Sequence, residues 1–271
     1  MIENWLITGD THGDFTRFRN YDPAVQNDPN TAVIILGDAG LNWTLGENDV
    51  HMKNYLSKRY AFRIYCVRGN HEARPSDVPE MHLMYDEDVH GEVWVQDRWP
   101  NIRYFKDVAI YIIKDWHVGV IGGAYSVDKF YRLSRGAIWY ENEQLNEQEQ
   151  TQAEALFHDI DVDFMLTHTC PISWEPTDLF LAAISQESVD KTTEKFLERI
   201  KEGLEWFGVW CFGHYHADRI ERPYVEQFFR DTENMDGIWN RWSKWEMEKE
   251  LDWWLVKSPN FWMGVDDDDS V

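Results

Sequence analysis

The chain has 271 residues, of which 43% are hydrophobic and 15% aromatic, which is typical of a folded globular protein and excludes an intrinsically disordered one. Its 49 acidic and 26 basic residues give a formal net charge of −23, and such a surface repels a polyphosphate backbone, so nucleic acid is an unfavourable partner. No apolar run reaches the roughly 18 residues of a membrane-spanning helix, and no basic or apolar segment precedes the first strand, so we expect a cytoplasmic protein that contacts no membrane.

The first third of the chain alternates short apolar segments with helical patterns. The predicted elements are a strand at 4–8, a short helix from 14, a strand at 31–36, a helix from about 48 to 60 and a strand at 62–67. In the longer helix, Met52, Leu56 and Tyr60 recur every fourth residue and predict a buried stripe. This order is typical of a parallel sheet with crossover helices.

The pattern changes between residues 92 and 125, where short alternating segments show no helical periodicity. It predicts antiparallel strands and a second sheet packed on the first. Residues 124–140 then combine aromatic side chains with Lys129, Arg132 and Arg135. Such a segment is consistent both with a loop folded over the core and with a lid that faces the substrate.

The second half of the chain ends in a segment rich in tryptophan. The predicted elements before it are a helix at 145–158, a strand at 162–166, a helix at 190–207, a strand at 209–212 and a hairpin within 219–229. We divide the chain into a domain of residues 1–236 and a helical extension of residues 237–271, packed on that domain and ending in the acidic tail 266–269. Trp239, Trp242 and Trp245 recur every third residue, which favours packing over ligand stacking.

Five of the predicted strands end in motifs that combine Gly with Asp, Asn or His. The motifs are Gly9-Asp10-Thr11-His12-Gly13, Gly37-Asp38, Arg68-Gly69-Asn70-His71-Glu72, Thr167-His168 and Gly213-His214-Tyr215-His216. Because open α/β sheets place their sites at the carboxyl ends of the strands, we expect these side chains to converge on one sheet edge.

Together and in this order, from residue 9 to residue 216, the motifs resemble those of the calcineurin-like metallophosphoesterases, which include the Ser/Thr protein phosphatases. The resemblance implies a four-layer α/β/β/α sandwich of two mixed sheets with two metal ions. By this resemblance the first metal is held by Asp10, His12 and His216, the second by Asn70, His168 and His214, and both by the bridging Asp38. Oxygen and nitrogen donors without thiolate suit Mn, Fe or Zn, and we favour Mn.

The resemblance also implies that a phosphate ester is hydrolysed. Two cations would depress the pKa of a shared water toward about 7, and the hydroxide would attack phosphorus in line. His71 would act as the general acid for the leaving alkoxide, and Arg68 would help to hold the phosphate. Asn70 and Arg132 are the candidate substrate contacts.

The sequence departs from the protein phosphatases it resembles just after the second motif. Those enzymes carry an Asp and an Arg three and four residues beyond the bridging Asp, where this chain has Leu41 and Asn42. The Asp steadies the general-acid His and the Arg clamps the phosphate. Asn42, Glu72 and Arg132 are the candidates to replace them, and protein phosphatase specificity is not implied.

Several functions are compatible with these residues. A phosphomonoesterase is our first choice, because a nuclease or other phosphodiesterase would favour a basic groove. A dinucleoside polyphosphate hydrolase is an alternative, since the aromatic residues between 125 and 140 could stack a base. An alternative of another class is a catalytically weak scaffold that binds metal. The expected partner is a small phosphorylated substrate or a phosphoprotein, and the sequence carries no signal for the oligomeric state.

The three cysteines do not suggest a different chemistry. Cys66, Cys170 and Cys211 are odd in number and lack the spacing of a disulfide framework, which indicates reduced, buried thiols. A cysteine-dependent phosphatase would need an Arg six residues after its nucleophile. The positions six residues after these cysteines hold Glu72, Pro176 and Ala217.

Overall fold

The computed structural model describes residues 1–180, 182, 184–222 and 224–257, with side chains as far as residue 249. The first elements are β1 (Asn4–Thr8), α1 (Thr16–Arg19), α2 (Pro23–Gln26), β2 (Thr31–Ile35), α3 (Glu47–Arg59), β3 (Arg63–Cys66) and β4 (His82–Asp86). They are followed by β5 (Gly91–Val95), β6 (Ile102–Phe105), β7 (Val108–Ile113), β8 (Trp116–Ile121), α4 (Lys129–Ser134), α5 (Glu147–Phe157) and β9 (Asp161–Thr167). The last are α6 (Thr192–Gly203), β10 (Trp206–Phe212), β11 (Arg219–Arg222), β12 (Val225–Gln227), β13 (Thr232–Asn234) and α7 (Met235–Lys257).

Two mixed sheets form the centre of the described structure. The first has the strand order β13-β1-β2-β3-β6-β5-β4, in which β1, β2, β3 and β6 are parallel. The second has the order β11-β12-β10-β9-β8-β7, in which β12, β10, β9 and β8 are parallel. Between the sheets lies an apolar layer that includes Trp5, Tyr65, Phe105 and Phe164.

Strand β2 shows why such segments become central strands. Its residues are apolar except for Thr31, and successive side chains point to opposite faces. Ala32 and Ile34 belong to the layer between the sheets, whereas Val33 and Ile35 belong to the layer outside the first sheet. A strand that is buried on both faces needs this continuous apolar run.

Helices cover the outer faces of both sheets. Leu56 of α3 packs with Phe18 and Phe62 outside the first sheet. Outside the second sheet, Phe157 of α5 packs with Phe196 of α6. The order of layers is helix, sheet, sheet, helix, so the predicted α/β/β/α sandwich of two mixed sheets is confirmed.

The structure differs from the sequence-based prediction in how the strands are distributed. The five motifs were expected at one sheet edge, but three of them follow β1, β2 and β3 of the first sheet and two follow β9 and β10 of the second. The region from 92 to 125 is likewise divided between the sheets, because β6 pairs parallel to β3 while β7 and β8 form a hairpin in the second sheet. Strand β4 was not predicted, since it is an edge strand with mostly exposed side chains and no clear alternation.

Helix boundaries differ as well. The helix predicted at 190–207 ends at Gly203, and Phe207 lies on β10 instead. On α5, Ala153 and Phe157 are buried as predicted, but Leu156 is exposed. The three cysteines are buried and free, in agreement with reduced thiols. Of the described helices, none combines the length and the apolar content that crossing a bilayer requires.

Helix α7 packs against β1, β10 and β13. Trp239 lies 5.6 Å from Phe164 and 4.5 Å from Trp242 between ring centroids, so these tryptophans pack against the body of the sandwich. The proposed division between residues 236 and 237 stays a prediction. The side chain of Trp253 and the acidic run 266–269 lie outside the described residues.

Candidate metal centre

The loops after β1 and β10 bring three donor atoms together. His12 Nε2 lies 2.9 Å from His216 Nε2, and Asp10 Oδ2 lies 3.6 Å from the first nitrogen and 3.3 Å from the second. Ligands arranged octahedrally at about 2.1 Å from an ion stand about 3.0 Å apart. These three atoms are therefore spaced to hold one cation.

A second group of donors lies beside the first. His168 Nε2 is 2.8 Å from Asn70 Oδ1 and 3.6 Å from Asp38 Oδ2. Asp38 Oδ2 is also 3.9 Å from His12 Nε2 in the first group. The ring of His214 packs edge-on against His168, with centroids 4.9 Å apart. One carboxylate oxygen thus faces both groups, which is the position of a bridging ligand.

Both carboxylates are oriented by backbone amides. Asp10 Oδ1 accepts the N–H of His214 at 2.9 Å, and Asp38 Oδ1 accepts the N–H of His71 at 2.8 Å. The second oxygen of Asp10 is buried and has no hydrogen-bond partner among the described residues. A buried, unpaired carboxylate oxygen is costly unless a cation or a donor meets it.

Hydrogen bonds also orient His168 and Asn70 in the second group. His168 Nδ1 donates to the carbonyl of Leu36 at 2.8 Å, so Nε2 is the ring nitrogen that would bind an ion. Asn70 Nδ2 donates to Ser126 Oγ at 2.9 Å, so its oxygen faces the centre. Ser126 in turn donates to Glu143 at 2.5 Å. Ser126 and Glu143 position a ligand, and no sequence motif marks them.

The backbone around the donors is strained. The left-handed residues among the donors are His12 (φ 46°), Asp38 (φ 48°), His214 (φ 68°) and His216 (φ 53°). Such conformations cost about 1–3 kcal/mol each for residues other than Gly, and they cluster at functional sites. Close packing adds to the constraint, because a Cβ at Gly37 would lie 2.0 Å from His168 Nδ1.

The two buried carboxylates of the centre depend on positive charge beside them. Burial alone would raise the pKa of Asp10 and of Asp38, but the neighbouring imidazoles hold both pKa values low. Burial alone would lower the pKa of His168, yet the charge of Asp38 raises it to about 9. For His214 burial prevails and lowers the pKa to about 3. Two buried carboxylates therefore require positive charge beside them, and divalent cations fit both this demand and the donor spacing.

His71 lies beside the centre and is held by α4. Arg132 Nη2 donates to His71 Nδ1 at 2.5 Å, and Arg132 Nε pairs with Asp128 Oδ2 at 3.3 Å. Asp128 Oδ1 lies 3.9 Å from His71 Nε2. Burial lowers the pKa of His71, and Arg132 adds to this effect while Asp38 opposes it. Because Nδ1 accepts the bond from Arg132, the neutral ring carries its proton on Nε2.

The other two candidates for the missing Asp and Arg have structural contacts instead. Asn42 Oδ1 accepts a hydrogen bond from Lys53 Nζ at 2.6 Å. Glu72 Oε1 accepts the hydroxyl of Tyr104 at 3.0 Å as well as backbone amides of the loop after β2. Of the three candidates, Arg132 is the one that the described structure places against His71.

Arg68 is buried and engaged with other parts of the chain. It is 1% exposed, its Nε donates to Asp107 at 2.8 Å, and its Nη1 donates to the carbonyl of Glu143 at 2.8 Å. A guanidinium enclosed in this way braces the turn after β3. The expectation that Arg68 holds phosphate stays a prediction, and these contacts do not favour it, because a motif gives the position of a residue in the chain but not the direction of its side chain.

Helix α4 was not predicted from the sequence. It lies within the segment 124–140, with Asp128 at its N-cap and Arg132 four residues later on the same face. This Asp-Arg spacing is the signal that could have identified it. Phe130 and Tyr131 on α4 are exposed, so this segment is not simply a cover over the core.

Arg17 on α1 is a further residue that the motifs do not mark. Its Nη1 donates to Thr8 Oγ1 at 2.8 Å, and its Nη2 donates to the carbonyl of Asp10 at 2.7 Å. The side chain therefore holds the loop that carries Asp10 and His12. No spacing rule predicts this contact, because it depends on where α1 packs.

Glu194 on α6 is a buried carboxyl group outside the centre. It is 4% exposed, Oε1 accepts the hydroxyl of Thr169 at 3.0 Å, and Oε2 has no partner among the described residues. Burial raises the pKa of Glu194 to about 7. Since the ordinary value is near 4.3, the folded chain holds this proton more tightly than the unfolded chain does.

This shift makes folding stability depend on pH. The contribution of Glu194 to stability is fully present below its unfolded pKa and is lost as the pH rises through about 7. We expect this loss to appear in urea unfolding experiments between pH 5 and pH 8. As the pH is raised over this range, the free energy of unfolding of the wild type should fall by up to about 3 kcal/mol more than that of Glu194→Gln. Parallel pH profiles for the two proteins would contradict this prediction.

The sandwich of two mixed sheets, with Asp, Asn and His donors clustered where strands of both sheets end, defines a domain of the metallophosphoesterase type. The model of the family described as calcineurin-like phosphoesterase matches residues 4–218. The chain belongs to this family, and the resemblance seen in its sequence is confirmed.

Twenty-seven chains of solved structures also match. One is a sulfate thiohydrolase, SoxB, from Thermus thermophilus in complex with glycerol, with 12% identity, a TM-score of 0.31 and coverage of 74% of this chain and 34% of that one. Another is a 5'-nucleotidase from Candida albicans, with 17% identity, a TM-score of 0.35 and coverage of 83% of this chain and 45% of that one. The chain thus spans less than half the length of either structure, and at these scores the likeness carries no argument about substrate. No curated protein sequence matches the chain significantly.

Proposed function

We propose that the chain is a phosphomonoesterase that uses two divalent cations. The observation that carries this proposal is Asp38, whose Oδ2 lies 3.9 Å from His12 Nε2 and 3.6 Å from His168 Nε2, so that one carboxylate serves two donor groups. Bound cations would supply Lewis-acid stabilisation of the phosphate oxygens and a nucleophile at neutral pH. Mn is the favoured ion, with Fe and Zn as alternatives, because the donors are oxygen and nitrogen without thiolate.

The residues of the chain supply the remaining functions. His71 is the general acid that protonates the leaving oxygen of the ester, and it does so as the imidazolium, because a neutral imidazole that lost its Nε2 proton would become an imidazolate. In the neutral resting form Arg132 holds the ring through its bond to Nδ1, with Nε2–H directed away from the guanidinium, and is therefore a positioning residue. In this proposal Arg132 and Asp128 take over the support that the protein phosphatases obtain from residues just after their bridging Asp.

The charge of the chain supports a monoester over a diester of nucleic acid. The net charge of −23 opposes a polyanionic backbone. Near His71, the cation Arg132 is paired with Asp128, so it does not form part of a basic groove. A small monoester needs no such groove, because its phosphate would meet the cations themselves.

A direct comparison of substrates tests the proposal. The protein is loaded with Mn, its metal content is measured, and its rates with an aryl phosphate monoester, an aryl phosphate diester, a phosphopeptide and a dinucleoside polyphosphate are compared. We expect about two ions per chain, with the monoester hydrolysed fastest and the activity lost in a chelator. Faster hydrolysis of the diester or of the dinucleotide would overturn the monoester assignment, and metal binding without turnover would support the scaffold alternative.

Arg132→Ala tests the positioning role. We expect kcat to fall by about 10–100-fold, as happens when an outer partner of a functional histidine is removed. Arg135→Ala is the matched control, because Arg135 is an exposed arginine three residues further along. A rise in KM would additionally place the guanidinium on the substrate phosphate, as the sequence predicts. Equal values of kcat for the two variants would refute the role of Arg132.

A further inference from the structure

A cavity of about 400 Å³ opens directly onto the candidate metal centre. Asp38, Asn70, His71, His214 and His216 form its wall on the metal side. The remaining walls come from the segment between β9 and α6, from the first turn of α6, from the segment before α4 and from Tyr215 after β10. A phosphate placed at the centre would therefore direct the rest of its molecule into this cavity.

The walls away from the metal donors are mainly apolar. Leu179, Phe180 and Val189 from the segment before α6, and Tyr125 and Val127 from the segment before α4, contribute apolar side chains. Cavities of this volume with such walls bury most of a small organic molecule, and a few polar groups fix its orientation. The shape and chemistry thus suit a ring or another compact apolar group better than an extended peptide.

The charges around the cavity oppose a second anionic group. Asp128, Asp190 and Glu194 line it, and Lys191 is the one lysine or arginine among its described lining residues. This ammonium is already engaged, because it pairs with Glu175 Oε1 at 2.6 Å and lies 4.5 Å from the ring centroid of Phe180. A carboxylate or a further phosphate on the substrate would therefore meet acidic side chains without a free cation.

Glu194 is a polar residue of this wall. Its Oε2 is buried and has no partner among the described residues. An oxygen without accessible surface does not contact a molecule in the cavity, so Glu194 adds to the polarity of the wall and offers no fixed hydrogen bond.

We propose that this cavity binds the alcohol part of the substrate and selects an uncharged aromatic alcohol. The substrate class is then a small aromatic phosphate monoester, rather than a phosphoprotein or a dinucleoside polyphosphate. This inference rests on the proposed function, because that function places the phosphate at the metal centre.

Phosphate esters of alcohols with similar pKa values test whether the cavity selects an aromatic alcohol, because differences in leaving-group acidity then do not affect the rates. With the Mn-loaded full chain, kcat/KM for benzyl phosphate should exceed that for ethyl phosphate by at least about 10-fold, since the ring becomes buried. It should also exceed the value for 4-carboxybenzyl phosphate by about 10-fold, because the carboxylate meets the acidic wall. Equal values for the three esters would overturn the inference and leave the proposed function intact.

A variant that fills the cavity gives an independent test. Val189→Trp should lower kcat/KM for benzyl phosphate about 10-fold more than it lowers kcat/KM for ethyl phosphate, because the larger alcohol needs more of the space. Ile112→Trp, at an exposed position on β7, is the control. An unchanged rate with benzyl phosphate in Val189→Trp would overturn the inference.

Binding of the free alcohol separates the two proposals. Calorimetric titration with 2-naphthol, which has a ring system and one hydroxyl donor, should show binding to the wild type and to Ile112→Trp but not to Val189→Trp. Failure of the wild type to bind 2-naphthol counts against the cavity as an alcohol site. If none of the esters is hydrolysed, the proposed function fails, and the assignment of a leaving-group site fails with it.

Discussion

Replacement of Asp38 by Asn should leave the chain folded and lower its hydrolytic rate by more than about 100-fold. Loss of a residue that only supports a metal ligand lowers activity by up to about 100-fold, and Asp38 is itself a proposed ligand. The carboxamide can still accept the backbone N–H of His71, which Asp38 Oδ1 accepts in the wild type, so the loop after β3 keeps its anchor. It cannot present an anionic oxygen to both donor groups. The variant should therefore also bind less Mn per chain.

Metal content and rate, measured on the same samples, check this prediction. Asp236→Asn is a matched control, because Asp236 lies on α7 and pairs with Lys114 on the surface. If Asp38→Asn retained both its full metal content and its rate, the bridging position assigned to Asp38 would be wrong.

Replacement of His71 by Ala should lower kcat for an alkyl or benzyl phosphate by about 10²–10⁴-fold, the range that general acid catalysis supplies. Metal content should stay the same, because the backbone N–H that orients Asp38 Oδ1 is retained in the variant. The loss should be much smaller for 4-nitrophenyl phosphate, whose leaving group needs no proton. The prediction therefore concerns a ratio of rates rather than a single rate.

The control for this variant is His117→Ala, which removes an exposed imidazole on β8. Wild type and both variants are compared on the alkyl and the nitrophenyl ester. Equal losses on the two esters in His71→Ala would mean that His71 binds or orients the phosphate and does not protonate the leaving group.

Much of the fold and of the donor set follows from local sequence. The apolar run of β2 predicts a strand buried on both faces, and Gly37 after it predicts a tight turn that brings Asp38 to the strand end. The meeting of donors from the two sheets, such as His168 with Asp38 and His12 with His216, needs the tertiary structure, and the family resemblance supplies that arrangement. Strand ends are predictable because apolar periodicity and glycine act over a few residues.

The direction of the long side chains was not predictable in this way. Arg68 lies in a motif, but its partners Asp107 and Glu143 are 39 and 75 residues away in the chain. The contact of Arg132 with His71 likewise spans 61 residues and depends on α4. A helix of six residues is not stable by itself, so local propensity does not reveal it and packing decides whether it forms.

The division of the donors between the two sheets has a mechanical consequence. Asp10 and His12 follow a strand of the first sheet, whereas His216 follows a strand of the second sheet, more than 200 residues later in the chain. A cation held by all three side chains would therefore link the two sheets. An ion that binds only the folded chain stabilises it by mass action. Removal of the ions by a chelator should then destabilise both sheets and not only the loops that carry the donors. The melting temperature and the activity should therefore depend on the same bound ions.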